Sequence, residues 1–182
     1  MKNNRISGIL FSTAAVAVAV LLAVLAESGL ESRILANEAA VSLAEMQRVS
    51  PKSESFSATE YTGEDKNIDA VFKSDTGYVI KTTTAGYAGG ITALTGIEND
   101  GYVTGVLVTD MRETPGLGGQ SKTSEWFLNQ FIGKKEAVAV GETVDALSGA
   151  TVTSKAVTNG VNSAVAFVTG ADIDSSATEW ED

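Results

Sequence analysis

Ile68 to Asp110 reads IDAVFKSDTGYVIKTTTAGYAGGITALTGIENDGYVTGVLVTD. Val, Ile, Thr and Tyr dominate, and these residues fit a pleated, half-buried surface better than a helix. Turn signals break the run at Asp75-Thr76-Gly77 and at Asn99-Asp100-Gly101. Asp-Gly between β-rich runs marks a hairpin. The pattern predicts antiparallel strands near 68–74, 77–85, 90–98 and 102–109. Ten of the 18 glycines fall between Gly77 and Gly119, which favours turns and close backbone approaches over loose flexibility.

Downstream, METPGLGGQ is followed by a short helix expected from Ser124 to Phe131, carrying Trp126, Phe127 and Phe131. Their spacing suits core packing better than the covering of a ligand. EAVAVGETVDALSG reads as a short β-like piece. In SKAVTNGVNSAVAFVTG, residues Val157, Val161, Ala164, Val165 and Val168 form one apolar helix stripe. The tail ADIDSSATEWED is acidic.

Upstream, SPKSESFSATEYTGEDKN is polar and turn-rich, and reads as a loop. ESRILANEAAVSLAEMQRVS before it has helical apolar spacing and is expected to end before Pro51. The segment Ile6 to Ala26 contains no charged residue. As a helix it would be about 32 Å long, enough for a hydrocarbon core of about 30 Å. Lys2 and Arg5 precede it and Glu27 follows, which places the N-terminus in the cytoplasm and the rest outside it. Val24-Leu25-Ala26 also resembles a signal-cleavage site, but the run exceeds the usual apolar region of about 7–15 residues. A retained single-pass anchor is therefore the expectation.

The 182-residue chain has no cysteine and no histidine. Disulfides, thiolate zinc sites, thiolate-held iron–sulfur clusters and His-ligated haem are thereby excluded. Redox chemistry would need an organic cofactor. All 23 acids but only 11 of the 13 basic residues lie beyond residue 26, a balance that repels nucleic acid.

The stretch DALSGATVTS, Asp145 to Ser154, carries the sharpest chemistry. Ser148 and Gly149 make a turn, Ala150 limits bulk, and Thr151 stands just before the final helix. A helix start presents unpaired N–H groups and partial positive charge, which suits a phosphate. A plain cap is the alternative reading, with Thr153 or Ser154 as the capping residue. No Gly-Lys-Ser/Thr follows, so a nucleotide-triphosphate P-loop is not indicated. In Glu113-Thr114-Pro115-Gly116-Leu117-Gly118, Pro115 and Gly116 specify a type II turn. Gly118 and Gly119 leave room for a flat ring against backbone. Glu113 can bond a ligand, orient the turn or face solvent. Lys122 can balance a phosphodiester or stay solvated.

Asp145 to Ser154 resembles the flavinylation motif of the FMN-binding domain family, and Glu113 to Gly118 resembles its ETPGLG signature. Gly77-Tyr78, Gly86-Tyr87-Ala88-Gly89-Gly90 and Gly101 match its glycine-aromatic region more loosely. The family includes the G subunit of the Rnf complex and the C subunit of the sodium-pumping NADH:quinone reductase. The resemblance implies FMN joined through its phosphate to Thr151, attached by a flavin transferase that recognises Asp145. It further implies cofactor contacts from Glu113, Thr114, Leu117, Gly118, Ser148, Gly149 and Ala150, and neither a catalytic side chain nor a metal. The implied role is electron carriage in a Rnf-type membrane complex coupling ferredoxin and NAD to sodium or proton movement. A quinone-reductase subunit or stand-alone flavin carrier is the alternative within the family. A membrane-anchored, non-redox scaffold is the alternative outside it.

The expected fold is α+β: a transmembrane helix, then one FMN-binding domain with a twisted antiparallel sheet and flanking helices. The expected boundaries are 1–5 cytoplasmic, 6–26 membrane, 27–66 amphipathic helix and loop, 67–170 FMN-binding domain, and 171–182 acidic tail.

Overall fold

The computed structural model describes residues 43–171. The anchor expected at 6–26 and most of the acidic tail lie outside the described residues. Among the described residues, no helix is long and apolar enough to cross a membrane.

Five antiparallel strands form one meander: β1 (Phe56–Thr59), β2 (Ile68–Ser74), β3 (Gly77–Ala85), β4 (Gly90–Glu98) and β5 (Val103–Met111), in that spatial order. The four central predictions land within one or two residues. At the β4–β5 turn, Gly101 takes φ +92° and its N–H donates to the Glu98 carbonyl at 2.9 Å. Only glycine adopts that conformation without strain. β1 lies inside the segment expected to be a loop. It is a four-residue edge strand, mostly exposed, paired through Phe56↔Ser74 to Thr59↔Val71. Its polar sequence hides it, because an edge strand this exposed needs no apolar face.

Helical residues 43–49 (α1) cover one sheet face. Met46 and Val49 pack with Val79, Leu94 and Leu107, flanked by Phe56 and Phe72. As expected, the helix stops before Pro51. The backbone of Val49 runs so close to the sheet that a Cβ on Gly105 would stand 2.9 Å from its Cα. Thr104 Oγ1 donates to the Val49 carbonyl.

The opposite face carries α3 (Thr151–Thr169), which ends at Gly170 in the left-handed conformation, φ +67°. Val157, Val161, Ala164 and Val165 are buried and Val168 is half-buried, so the predicted stripe is the core contact. Each fully buried valine of the stripe contributes about 1.5–3 kcal/mol. Small residues let the helix settle onto β3: Thr84 Oγ1 donates to the Ala156 carbonyl at 2.8 Å.

The short helix α2 (Glu125–Asn129) begins at Ser124, whose side chain accepts from the Phe127 N–H. Phe127 and Phe131 are fully buried and meet edge to face with ring centres 5.4 Å apart. Trp126 corrects the expectation of core packing: it is 58% exposed, one residue off the buried face. The β-like piece at 136–149 is also corrected. It forms only one isolated bridge, Val140↔Val144. Its apolar residues Val138, Val144 and Leu147 enter the core all the same, and the Asn162 amide holds both backbone groups of Val138 at 2.9 Å.

Candidate functional site

Two loops separated by 33 positions meet at one end of the sheet. The first follows β5. Thr114-Pro115-Gly116-Leu117 is the predicted turn, closed by Leu117 N–H to the Thr114 carbonyl at 3.2 Å, with Gly116 at φ +81°. A 3-10 helix, Gly118–Lys122, continues from it. The second loop precedes α3. Ala150 N–H closes its turn on the Leu147 carbonyl at 3.0 Å, with Gly149 at φ +69°.

Their junction is tight. A Cβ on Gly149 would stand 3.3 Å from Leu117 Cδ2, and one on Gly118 would stand 2.7 Å from Glu113 Oε2 and against Thr153 Oγ1. The space left by Gly118 is therefore filled by protein atoms, not kept open for a flat ring. Glu113 is buried. Its Oε2 accepts from Thr153 Oγ1 at 2.9 Å and its Oε1 from the Ala88 N–H at 3.1 Å.

Around this junction lies a cavity of about 330 Å³ lined by Glu113, Thr114, Leu117, Gly118, Gly149, Ala150 and Thr151, together with Tyr87, Val152 and Thr153. Seven of the nine residues singled out from the sequence thus line one cavity. Ser148 and Asp145 do not: both are exposed. The Asp145 backbone is clamped by the Gln130 amide, with its N–H donating to Gln130 Oε1 at 2.8 Å and its carbonyl accepting at 3.3 Å. Lys122 also lies elsewhere. Its ammonium donates to the Thr109 carbonyl at 2.7 Å, at the edge of β5.

The helix cap is the main local correction. α3 starts three to four residues earlier than a cap at Thr153 or Ser154 requires, because those hydroxyls are drawn inward. Ser154 Oγ donates to the Ala150 carbonyl and accepts from the Leu147 N–H, at 2.9 and 3.0 Å. The capping position is Ala150, which has no side-chain acceptor to offer. Among the described residues, no side chain caps the first-turn N–H groups, and the Thr151 hydroxyl, exposed at the first helical position, finds no hydrogen-bond partner. Such a helix start favours an anion.

Tyr87, 76% exposed in the β3–β4 loop, has no role in the sequence reading beyond its place in a glycine-aromatic stretch. An aromatic flanked by glycines was the available signal. The cavity holds one carboxyl group, Glu113, and no lysine or arginine. Neutral N–H groups, hydroxyls and apolar surface from Leu117, Val152 and Tyr87 define it. That combination fits a phosphate joined to a planar, largely uncharged body, and the volume takes part of such a molecule.

Residues 86–166 match the family model for the FMN-binding domain. Among curated relatives, the chain is 45% identical over 100 residues to the G subunit of the Na(+)-translocating ferredoxin:NAD(+) oxidoreductase complex of Acetobacterium woodii, covering 49% of this chain and 47% of that protein. It is 39% identical over 99 residues to the G subunit of the proton-translocating ferredoxin:NAD(+) oxidoreductase complex of Clostridium ljungdahlii, covering 50% and 53%. It is 36% identical over 112 residues to the G subunit of the ion-translocating oxidoreductase complex of Escherichia coli K12, covering 56% and 50%. The chain spans about half the length of the curated relatives it matches. Among solved structures, the C subunit of the Na(+)-translocating NADH-quinone reductase of Parabacteroides distasonis aligns with TM-score 0.48 and 21% identity, covering 66% of this chain and 80% of that one.

Proposed function

We propose that this chain is the flavin-bearing electron carrier of a Rnf-type membrane complex, which couples electron transfer between ferredoxin and NAD to sodium or proton translocation. FMN is joined to it as a phosphoester on Thr151. One observation carries the attachment site. Of the hydroxyls in SGATVTS, only that of Thr151 is both exposed on the cavity and uncommitted. Thr153 and Ser154 are spent on Glu113 and Ala150, and Ser148 lies off the cavity.

When bound, FMN supplies the electron-carrying chemistry, and the protein supplies placement. The N–H groups at the start of α3 would hold the phosphate, and the helix start would offset part of its charge. Gly149 keeps bulk away from the Leu117 side of the cavity. Leu117 and Tyr87 offer apolar area to a ring, while the turn at Pro115-Gly116 holds the rim. Asp145, exposed on a backbone clamped by Gln130, is available for recognition by a flavin transferase. Residues 6–26 anchor the chain, with the N-terminus cytoplasmic and the FMN-binding domain on the opposite side. The partners are the other membrane and peripheral subunits of the complex.

The test is expression with a flavin transferase, followed by denaturing electrophoresis. Flavin fluorescence should stay with the band, vanish in Thr151→Val, and persist in Thr153→Val. A dark wild-type band, or label retained in Thr151→Val, refutes the attachment. A complex purified through this chain should reduce NAD with reduced ferredoxin; lack of that activity refutes the assignment to the complex.

A further inference from the structure

We infer that Glu113 is the positioning residue of this site and acts through its two hydrogen bonds, not through its charge. The inference rests on reading the cavity as an FMN site.

Three backbone segments converge on this carboxyl. Oε1 holds the Ala88 N–H in the loop between β3 and β4, and Oε2 holds the Thr153 hydroxyl in the first turn of α3. Glycine stands at two of these contacts. A Cβ on Gly86 would be 2.5 Å from Oε1, and one on Gly118 would be 2.7 Å from Oε2. Both hydrogen-bond donors are neutral, and the cavity lining offers Glu113 no lysine or arginine. A buried carboxyl group held by neutral donors is a poor way to gain stability.

What the two bonds achieve is mechanical. Tyr87 is too exposed for packing to place it, and its loop closes on itself only through Gly86 N–H to the Gly89 carbonyl at 2.8 Å. The neighbouring Ala88 N–H is the point where that loop is fastened to the rest of the cavity. At the other end, Thr153 lies two residues from Thr151 on the same helical turn. Glu113 thus sets the separation between the aromatic rim and the attachment residue. Glutamine can do the same. Its carbonyl oxygen accepts from Ala88, and its amide donates to Thr153 Oγ1. Alanine can do neither.

The full chain, produced with a flavin transferase, is compared as wild type, Glu113→Gln and Glu113→Ala. The readouts are amide hydrogen exchange at Ala88 and the redox equilibrium of the bound flavin against a reference dye. Glutamine should leave both within about twofold of wild type, because both ties are kept, the one to Thr153 with its direction reversed. Alanine should speed Ala88 exchange by about tenfold, the factor expected for one lost hydrogen bond, and displace the redox equilibrium by about threefold or more. A displacement of about tenfold in Glu113→Gln would make charge the active property and overturn the inference, as would an alanine variant unchanged in both readouts. Should Glu113→Ala not fold, Thr153→Val cuts the α3 end of the same tie. It should displace the redox equilibrium with Ala88 exchange retained, and an unmoved equilibrium overturns the inference. A wild-type chain without flavin refutes the FMN reading itself, an outcome visible before any variant is compared.

Discussion

Thr151 and Thr153 are two residues apart, carry the same side chain and begin the same helix, yet replacing each with valine should have opposite consequences. Thr153 is 1% exposed and its hydroxyl donates to Glu113 Oε2 at 2.9 Å. Valine fills nearly the same volume, so no cavity term arises. What is lost is a buried hydrogen bond whose acceptor has no substitute donor nearby, at about 2 kcal/mol. For a domain of this size, that lowers Tm by roughly 6 °C. Thr151 is exposed and has no hydrogen-bond partner among the described residues, so its replacement should change stability by no more than about 0.5 kcal/mol. The measurement is thermal and urea unfolding of both variants made without a flavin transferase, so that the cofactor contributes nothing to either. Combined with the flavin-transferase experiment, the variants should dissociate cleanly: Thr153→Val keeps the flavin and loses stability, and Thr151→Val does the reverse. A Thr151→Val protein as destabilised as Thr153→Val would refute the division of labour between the two hydroxyls.

Gly160→Ala should destabilise the protein by about 1–3 kcal/mol, although alanine is better than glycine by about 1 kcal/mol inside an unconstrained helix. A Cβ there would lie 2.6 Å from the buried Thr82 Oγ1, and a raised urea midpoint would show that the helix has room to shift. Lys52 is held above the ordinary lysine value by its hydrogen bond to Glu98, at 2.8 Å, and then by the charges of Glu98 and Asp100. A raised folded-state value means that the pair's contribution is complete below the ordinary lysine range and is lost as pH rises through the raised one. The stability gap between wild type and Lys52→Met should therefore be small at neutral pH, close further in strongly alkaline buffer, and shrink in about 1 M salt because the pair is exposed. A gap that widens with pH would contradict this.

The legible parts of the fold share a cause. β2 to β5 follow from alternating β-branched residues between strong turn signals, and α3 follows from an apolar stripe at helical spacing. In each, local preference and tertiary burial agree. The misreadings arose where the two part company. β1 is polar because it is an edge. Val138, Val144 and Leu147 enter the core from an irregular segment, so their burial leaves no period to read. Trp126 differs from Phe127 only in the face that five residues of helix happen to turn outward. Lys122, adjacent to the signature loop in sequence, reaches the β5 edge instead of the cavity.

The sequence alone determined the positions of strands β2 to β5, the turn at Pro115-Gly116, the closing helix and the two short motifs, because each depends on residues within a few positions of one another. It also marked Thr151 as the residue for chemistry, through a resemblance that needs no coordinates. Only the tertiary structure decided how the hydroxyls of SGATVTS are spent. A serine or threonine near a helix start is a cap in any local reading. Here Thr153 is diverted by a carboxyl group forty residues upstream, Ser154 turns back on its own loop, and Thr151 is left facing the cavity. That allocation depends on bringing the end of β5 against the start of α3, and no local pattern encodes it.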